Sequence, residues 1–520
     1  MYKLGIIGFG VVGKSALNFL KEHVEIPDND DIDLVINDSY DEPRAVDVDV
    51  WDARLLGAHE HEMIQACGAA IVDTTRVSLK EFIEQHDFIL PSPGVPLREY
   101  QEFADKFLCE LDFFAAYMKK PVVAVTGSIG KTTTTRIIGK VVSISNFLLK
   151  EQCSEPVRGL MRDYHLSGKK SIRTVLGGNI GRGMLDLVKQ PESYDLAVLE
   201  LSSFQLDLNK KFAPDISILT NFYPNHLDRH GDLESYCEAK FNIMRYQKEH
   251  QVAIVTKNLF RGKVWNYWNN CFKELKAMVS ICSHQPYDQE FIDTINREKF
   301  YFFYVDGGYL WLSLIKKNKQ ISKEKLFNLS VLPEGTFLQN WIKSLAALYF
   351  LGVDLSSTEM WFKSNDTSSF FDDATHRVQY FTTINGVDFY DDSKATLIEA
   401  TKAAVAKLSR SDRRVLLILG GQSKGIDRSP LMDYIKSIPQ IKKVYCFGPE
   451  CADFADCIVL PSLEAIVDDV AKIMTPGDIV LFSPSGSSFD LFKNYKHRGQ
   501  EFKKLVKKLD GGFFSSPCSV

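Results

Sequence analysis

Short apolar runs recur along the chain, and most of them break off at Gly, Ser, Asn, Asp or Pro. The stretches KLGIIG, IDLVIND, HDFILPSPG, PVVAVTG, YDLAVLELSS, ISILTNF, VAIVT, RRVLLILGG, KKVYCFG and GDIVLFSPSG are of this kind, with helix-like segments between them. A strand covered on both faces reads as a continuous apolar run, whereas a half-exposed strand alternates. The pattern predicts an α/β fold with parallel sheets, and ligands that gather where the strands' carboxyl ends turn polar. Blocks 1–119, 120–373 and 374–520 suggest three domains. Residues 258–325 depart from the pattern. They are rich in aromatic residues, and KFYFFYVDGGYLWLSL predicts a hairpin turning at Asp306-Gly307.

A length of 520 residues suits three domains, at about 100–200 residues each. The net charge of −5 provides no basic field for nucleic acid, so an anionic ligand must be held by local cations and backbone N–H groups. No run reaches the ~18 apolar residues of a membrane helix. Residues 107–118 come nearest, and Glu110 and Asp112 interrupt them. The opening MYKLGIIGFG reads as a first strand ending in a glycine turn, not as a signal peptide. The ten cysteines include no C-x-x-C pair. Cys446, Cys451 and Cys457 form a loose group without the second pair a zinc site needs, and all read as reduced thiols of a cytoplasmic protein. AHEHEM, with His59 and His61, is not H-E-x-x-H and reads as a solvated helix face.

Two glycine-rich turns carry candidate chemistry. LGIIGFGVVGKS places Gly8, Gly10 and Gly13 in the G-x-G-x-x-G spacing, with Asp38 near where a ribose-binding acid would stand. From these residues alone, NAD is as good an occupant as another diphosphate. VVAVTGSIGKTTTT runs from a strand into Gly127, Ser128, Gly130, Lys131, Thr132 and Thr133. Glycines let backbone N–H groups close around phosphate oxygens, and the helix that follows offers its positive end. Lys131 would offset β- and γ-phosphate charge, and the Thr132 hydroxyl would ligate Mg²⁺. Val125 stands at the first glycine of G-x-x-x-x-G-K-[ST], so the loop is the shorter G-x-x-G-K-T.

That loop, followed by further threonines, resembles the ATP loop of the Mur ligase superfamily. VLELSSFQL (198–206), NHLDRHGDLESYCEAK (225–240), DDSKAT (391–396), GGQSKGID (420–427) and FKNYKHRGQEF (492–502) follow in order and resemble the branch that adds D-glutamate. The resemblance implies an ATP-dependent, amide-forming ligase in cytoplasmic peptidoglycan synthesis. It would join D-glutamate to UDP-N-acetylmuramoyl-L-alanine through an acyl phosphate. It also implies an N-terminal Rossmann-like UDP-binding domain, a central P-loop ATPase-like domain with a mostly parallel sheet, and a C-terminal Rossmann-like domain that binds the amino acid.

On this resemblance the first turn faces UDP, with Gly8, Gly10, Val11, Val12, Asp38, Ser92 and Gly94 as candidates and Asn179 contacting the muramyl substrate. ATP would meet Gly127, Ser128, Gly130, Lys131, Thr132, Thr133, Asn340, Arg377 and Asp391. Catalysis falls to Lys131, Glu200, His226 and Lys240. Two Mg²⁺ ions are expected on Thr132, Glu200, His226 and Lys240, the last as a carbamate formed with CO₂. Spacing alone makes Lys240 a surface cation on an amphipathic helix and leaves Glu200 open as a solvated strand-end acid. D-Glutamate would meet Lys394, Thr396, Lys424, Ser488, the backbone at Phe489, and Tyr495 alongside. A monomer is expected, with no nucleic-acid partner and no membrane insertion.

Several positions depart from the family pattern. Val12, Ile129, Asn225 and Leu397 replace Thr, Asn, Asp and Asn. QNWIK keeps Asn340 of an adenine-side H-N-x-x-N but has Gln339 and Lys343 at its ends. The alternatives are a sister ligase adding another residue, a nucleotide-binding module without ligase activity, and an NAD-dependent oxidoreductase.

Overall fold

The computed structural model describes every residue except 1, 10, 24–45, 55, 94, 96, 149–171, 181, 261–263, 372–374, 455 and 513–520. It contains three sheets in two compact units. One unit comprises Met1–Phe222 and Asp232–Asp366, and the other Tyr223–Gly231 and Thr367–Val520.

In the first unit, β1 (Tyr2–Ile7), β2 (Val46–Trp51), β3 (Ala70–Ile71) and β4 (Phe88–Pro91) form a parallel sheet in the order β3-β2-β1-β4. The strand expected at IDLVIND lies outside the described residues. The partner of β1 is instead VDVDVW, whose alternation with aspartates hid it from a search for continuous apolar runs. Helix α1 (Val11–His23) follows β1 and buries Ala16, Leu17, Phe19 and Leu20 in a core shared with the larger second sheet.

That second sheet holds β5 (Val122–Thr126), β6 (Thr174–Gly178), β7 (Leu196–Glu200), β8 (Ile216–Leu219), β9 (Val252–Thr256), β10 (Met278–Cys282), β11 (Lys299–Asp306), β12 (Tyr309–Lys316) and β13 (Lys319–Asn328). Their order is β13-β12-β11-β10-β9-β8-β5-β7-β6. From β6 to β11 the pairs are parallel, and β5, β7 and β9 are buried along their whole length, as continuous apolar runs require. The aromatic segment supplies the antiparallel edge β11–β13. Its hairpin turns one residue later than expected, at Gly307-Gly308. Both have positive φ, which a two-residue hairpin favours because that turn matches the strands' twist. Helices α2 (Lys131–Ile144), α3 (Leu233–Arg245) and α4 (Leu338–Phe350) belong to this unit.

The second unit is built on β14 (Gln379–Ile384), β15 (Val387–Asp391), β16 (Val415–Gly420), β17 (Ile441–Phe447), β18 (Ile458–Val459) and β19 (Ile479–Phe482), in the order β14-β15-β19-β16-β17-β18. Separate apolar clusters cover its two faces, one around Phe389, Ile418 and Phe482 and the other around Val405, Leu417 and Leu481. Its last helix, α5, is Tyr495–Gly512. Among the described residues, no helix is long and apolar enough to cross a membrane.

Candidate active site

The second glycine turn forms a tight loop between β5 and α2. Gly130 has φ +88°, and a Cβ there would come 2.5 Å from Asn340 Oδ1; a Cβ on Gly127 would collide with Thr220 Oγ1. Only glycines fit so close an approach. The polar end of ISILTNF holds the loop in place. Thr220 Oγ1 and Asn221 Nδ2 donate to Ile129 O at 2.6 and 2.8 Å, and Ile129 N donates to Asn221 Oδ1 at 2.9 Å. These two residues did not stand out in the sequence, although the strand-ending Thr-Asn was a usable signal. Thr132 and Thr133 are buried in the first turn of α2.

Two lysines meet at this loop. Lys131 Nζ donates to Gly127 O at 2.8 Å and Ser128 O at 3.3 Å. Lys240 Nζ, from α3, donates to the same Gly127 O at 3.1 Å and lies 4.7 Å from the centre of the Tyr236 ring. Tyr236 OH shares a hydrogen bond with Ser128 Oγ at 3.2 Å. Lys240 is only 2% exposed, so it is not the surface cation that its spacing suggested. Burial, reinforced by repulsion from Lys131, holds its ammonium well below the usual lysine range.

On the neighbouring strand, Glu200 stands opposite Val125 in parallel register. It is 3% exposed, so it is not a solvated acid. Asn179 Nδ2 donates to its Oε1 at 3.2 Å, while Oε2 is sealed from solvent with no hydrogen-bond partner among the described residues. A buried carboxylate oxygen left without a donor suits a cation. Among the described residues, no three His, Cys, Asp or Glu side chains converge as a metal set. Ser202 caps the short helix Ser203–Leu206 in a reciprocal box with Gln205, which gives it a structural role.

At the first glycine turn, Ser92 Oγ donates to Gly8 O at 2.7 Å, and Phe9 N donates to Asp52 Oδ2 at 2.6 Å. Val11 begins α1 and Val12 is half-buried in it. Gly10, Asp38 and Gly94 lie outside the described residues. Among the described residues, Asp52, which carries no motif in the sequence, is an acid placed beside this turn. Burial pushes its carboxyl up, but Arg54 and the N–H groups of Phe9 and Arg54 outweigh burial and hold it below the usual range.

On α4, Asn340 Nδ2 donates to Thr336 Oγ1 at 2.9 Å and Gln339 Nε2 donates to His284 Nδ1 at 3.2 Å. Lys343, one turn further on, is 2% exposed, and burial brings its ammonium down to about 8.

The second unit gathers the other candidates at the carboxyl ends of β15, β19 and β16. Arg498 is fully buried in α5. Its Nε and Nη2 donate to Ser393 Oγ and O at 3.1 and 2.8 Å, and Nη2 and Nη1 donate to Gly486 O and Ser487 O at 2.9 and 3.3 Å. Gln422 and Ser487 exchange backbone hydrogen bonds at 2.9 Å. The loops carrying Lys394 and Thr396, Lys424, and Ser488 and Phe489 are thereby laced together. Lys394 Nζ lies 5.2 Å from the Tyr495 ring centre. Ser488 is buried and Phe489 is 71% exposed. Asp391 is fully buried, with His376 Nδ1 and Lys503 Nζ at 2.6 and 3.2 Å from Oδ2 and Ser393 N donating to Oδ1 at 2.9 Å. Arg377 acts on Asp392, whose burial pushes its carboxyl up to about 7. His226 stands on the Tyr223–Gly231 stretch of this unit with φ +55°, its N–H donating to Asn225 Oδ1 at 3.0 Å.

With that geometry in hand, the chain is similar to proteins of one family. A family model described as Mur ligase middle domain matches residues 125–309, and one described as Mur ligase, glutamate ligase domain matches residues 376–486. The UDP-N-acetylmuramoylalanine--D-glutamate ligase of Koribacter versatilis is 30% identical over 452 residues, spanning 84% of this chain and 86% of its own. The protein of that name from Thermosipho africanus is 27% identical over 529 residues, spanning 98% and 99%. The crystal structure of MurF ligase from Thermotoga maritima in complex with ADP is 18% identical, with a TM-score of 0.46, over 83% of this chain and 91% of that one.

Proposed function

Because this chain belongs to the Mur ligase family, we propose that it joins D-glutamate to the L-alanine carboxylate of UDP-N-acetylmuramoyl-L-alanine, using ATP, in cytoplasmic peptidoglycan synthesis. The observation that carries the reading is the meeting of Lys131 and Lys240 on Gly127 O, with the sealed, unpartnered Glu200 Oε2 on the neighbouring strand.

A carboxylate does not acylate an amine in water, because its charge repels the nucleophile and oxide is a poor leaving group. Transfer of the γ-phosphoryl group to an alanine carboxylate oxygen releases ADP and leaves an acyl phosphate. The deprotonated D-glutamate amine attacks the carbonyl carbon, and the tetrahedral intermediate expels inorganic phosphate to leave the amide. Phosphoryl transfer of this kind depends on positioning and charge compensation more than on covalent help.

The residues divide that task. The turn of Gly127, Ser128 and Gly130 and the amino end of α2, with Thr133, hold the phosphates. Lys131 exchanges the carbonyls of Gly127 and Ser128 for phosphate oxygens. Thr132, Glu200, His226 and Lys240 as its carbamate would hold two Mg²⁺ ions, whose charge lets the two anions meet. Lys240 suits carbamate formation because burial and Lys131 favour its neutral amine, the form that adds CO₂. Asn340, Arg377 and Asp391 complete the ATP contacts. Asn179 serves the muramyl substrate, and the Gly8–Val12 turn with Ser92 serves UDP. Lys394, Thr396, Lys424, Ser488, the Phe489 backbone and Tyr495 serve D-glutamate. The corresponding domains are 1–119, 120–373 and 374–520, in a monomer.

The test is phosphate release with ATP, Mg²⁺ and UDP-N-acetylmuramoyl-L-alanine across a panel of amino acids. D-Glutamate alone should support turnover; equal turnover with L-lysine, or none with any amino acid, refutes the reading.

A further inference from the structure

Lys343 is a buried lysine that the mechanism above does not use. It lies three residues after Asn340, whose Oδ1 faces Gly130 of the phosphate loop. Positions i and i+3 share a helix face, and helical side chains lean toward the helix N-terminus. The Lys343 stem therefore carries its ammonium back toward the carboxyl edge of the sheet. There its charge acts on Cys282, the last residue of β10, and on His284.

Among the described residues, no carboxylate or hydrogen-bond acceptor engages this ammonium. The titratable group coupled to it is the Cys282 thiol, which burial pushes up to about 12 and so keeps neutral, leaving the ammonium without a counter-charge. The contrast with Lys257 is direct. Lys257 is also buried at this edge, but its Nζ is paired with Asp288 Oδ2 at 2.6 Å. His284 is held below its usual range by burial and by Lys343 and Lys257, so it stays a neutral imidazole. With Gln339 Nε2 donating to its Nδ1, its other ring nitrogen carries the proton. Lys343 and His284 thus each present N–H donors at this edge. A buried cation without a partner is costly to hold, and a ligand acceptor relieves it.

The reading of the loop as an ATP site, on which this inference rests, says which ligand arrives. A triphosphate on Gly127–Thr132 leaves its nucleoside to extend along the carboxyl edges of the strands. Toward β7 that edge is taken by Asn179, Glu200 and Lys240. The opposite direction leads past Asn221 to His284 and Lys343. Adenine shows a donor amino group at C6 beside the acceptor N7, whereas a 6-oxopurine shows acceptors at both O6 and N7. A lysine can only donate, and it matches the second pattern. We infer that Lys343 reads the 6-position of the purine, so that the chain uses 6-oxopurine nucleoside triphosphates alongside ATP.

The experiment compares kcat/KM for ATP, GTP and ITP in the complete ligase reaction, for the wild type, Lys343→Asn and Lys343→Met. ITP isolates the 6-oxo group from the 2-amino group of GTP. The wild type should use GTP and ITP within about tenfold of ATP, the size of effect one bidentate base contact can set. Lys343→Asn restores an acceptor and should shift the ITP:ATP ratio at least tenfold toward ATP, with the KM for D-glutamate unchanged. Lys343→Met should lower ITP use without improving ATP use. Wild-type discrimination against both GTP and ITP beyond a hundredfold overturns the inference while leaving the ligase reading intact, and so does a ratio that neither substitution moves. Silence with all three nucleotides overturns the ligase reading and this inference together.

Discussion

Replacing Arg498 by lysine keeps the charge and removes the fork, and the structure sets the size of the consequence. The guanidinium makes four hydrogen bonds, two to Ser393 and one each to Gly486 O and Ser487 O, from a fully buried position. Burial lowers it to about 10, which leaves it protonated at neutral pH. An ammonium is a single point with three donors and cannot span both loops at once. The Gly486 and Ser487 carbonyls then lose their donor while staying buried. Bonds from a charged donor contribute about 1.5–3 kcal/mol each, so two lost bonds remove about 3–6 kcal/mol. For a unit of this size, at about 2–4 °C per kcal/mol, the melting transition of the second unit falls by about 6–24 °C. The same loops carry Lys394 and Ser488, so the KM for D-glutamate should rise by about an order of magnitude while the KM for the nucleotide stays within twofold, as positioning losses of this kind predict. Calorimetry and steady-state kinetics on Arg498→Lys read both effects. A transition that moves less than about 2 °C, together with an unchanged KM for D-glutamate, would refute the reasoning.

Three further outcomes are expected. Lys131→Ala removes the cation at the transferring phosphoryl group and should lower phosphate release by about 10²–10³-fold or more; turnover near the wild-type rate would remove the ATP-site assignment. Wild-type turnover should fall in CO₂-free buffer and recover with bicarbonate, whereas Lys240→Gln should be inactive in both; a flat wild-type response counts against the carbamate. Glu110, buried at the start of the helix Glu110–Tyr117, has its carboxyl pushed from the ordinary 4.5 up to about 7 by burial, against the N–H groups of Leu185 and Met184 and with Asp186 nearby. Its neutral form is the one the native state favours, so its contribution is complete below pH 4.5 and is lost as pH rises through 7. Glu110→Gln should therefore gain on the wild type by up to about 3 kcal/mol between pH 5 and pH 8, and a difference that stays constant across chemical-denaturation curves in that range would contradict the account.

What could be read from the chain, and what could not, follows from the range of each interaction. Strands buried on both faces carry their own signal, so β5, β7, β9, β16 and β19 stood out as apolar runs ending in polar residues. The strand β2 alternates valine with aspartate and escaped the same search. The same strand leads into Asp52, which stands just past its end and accepts from Phe9 N, while Asp38, the acid that the usual spacing of about 20 residues picks out, lies outside the described residues. Burial of single charges is less legible still. Lys240 lies on a helix whose neighbours Glu238 and Arg245 face solvent. Only Gly127, 113 residues away along the chain, and Tyr236 reveal why its ammonium is sealed. Lys343 is a stronger case, because it has no paired acid anywhere among the described residues to mark it. A charge kept buried at such a cost, next to a phosphate loop and with nothing in the chain to satisfy it, is better explained by a ligand acceptor than by the stability of the fold. The nucleotide panel, read on the wild type and on both Lys343 variants, decides that point.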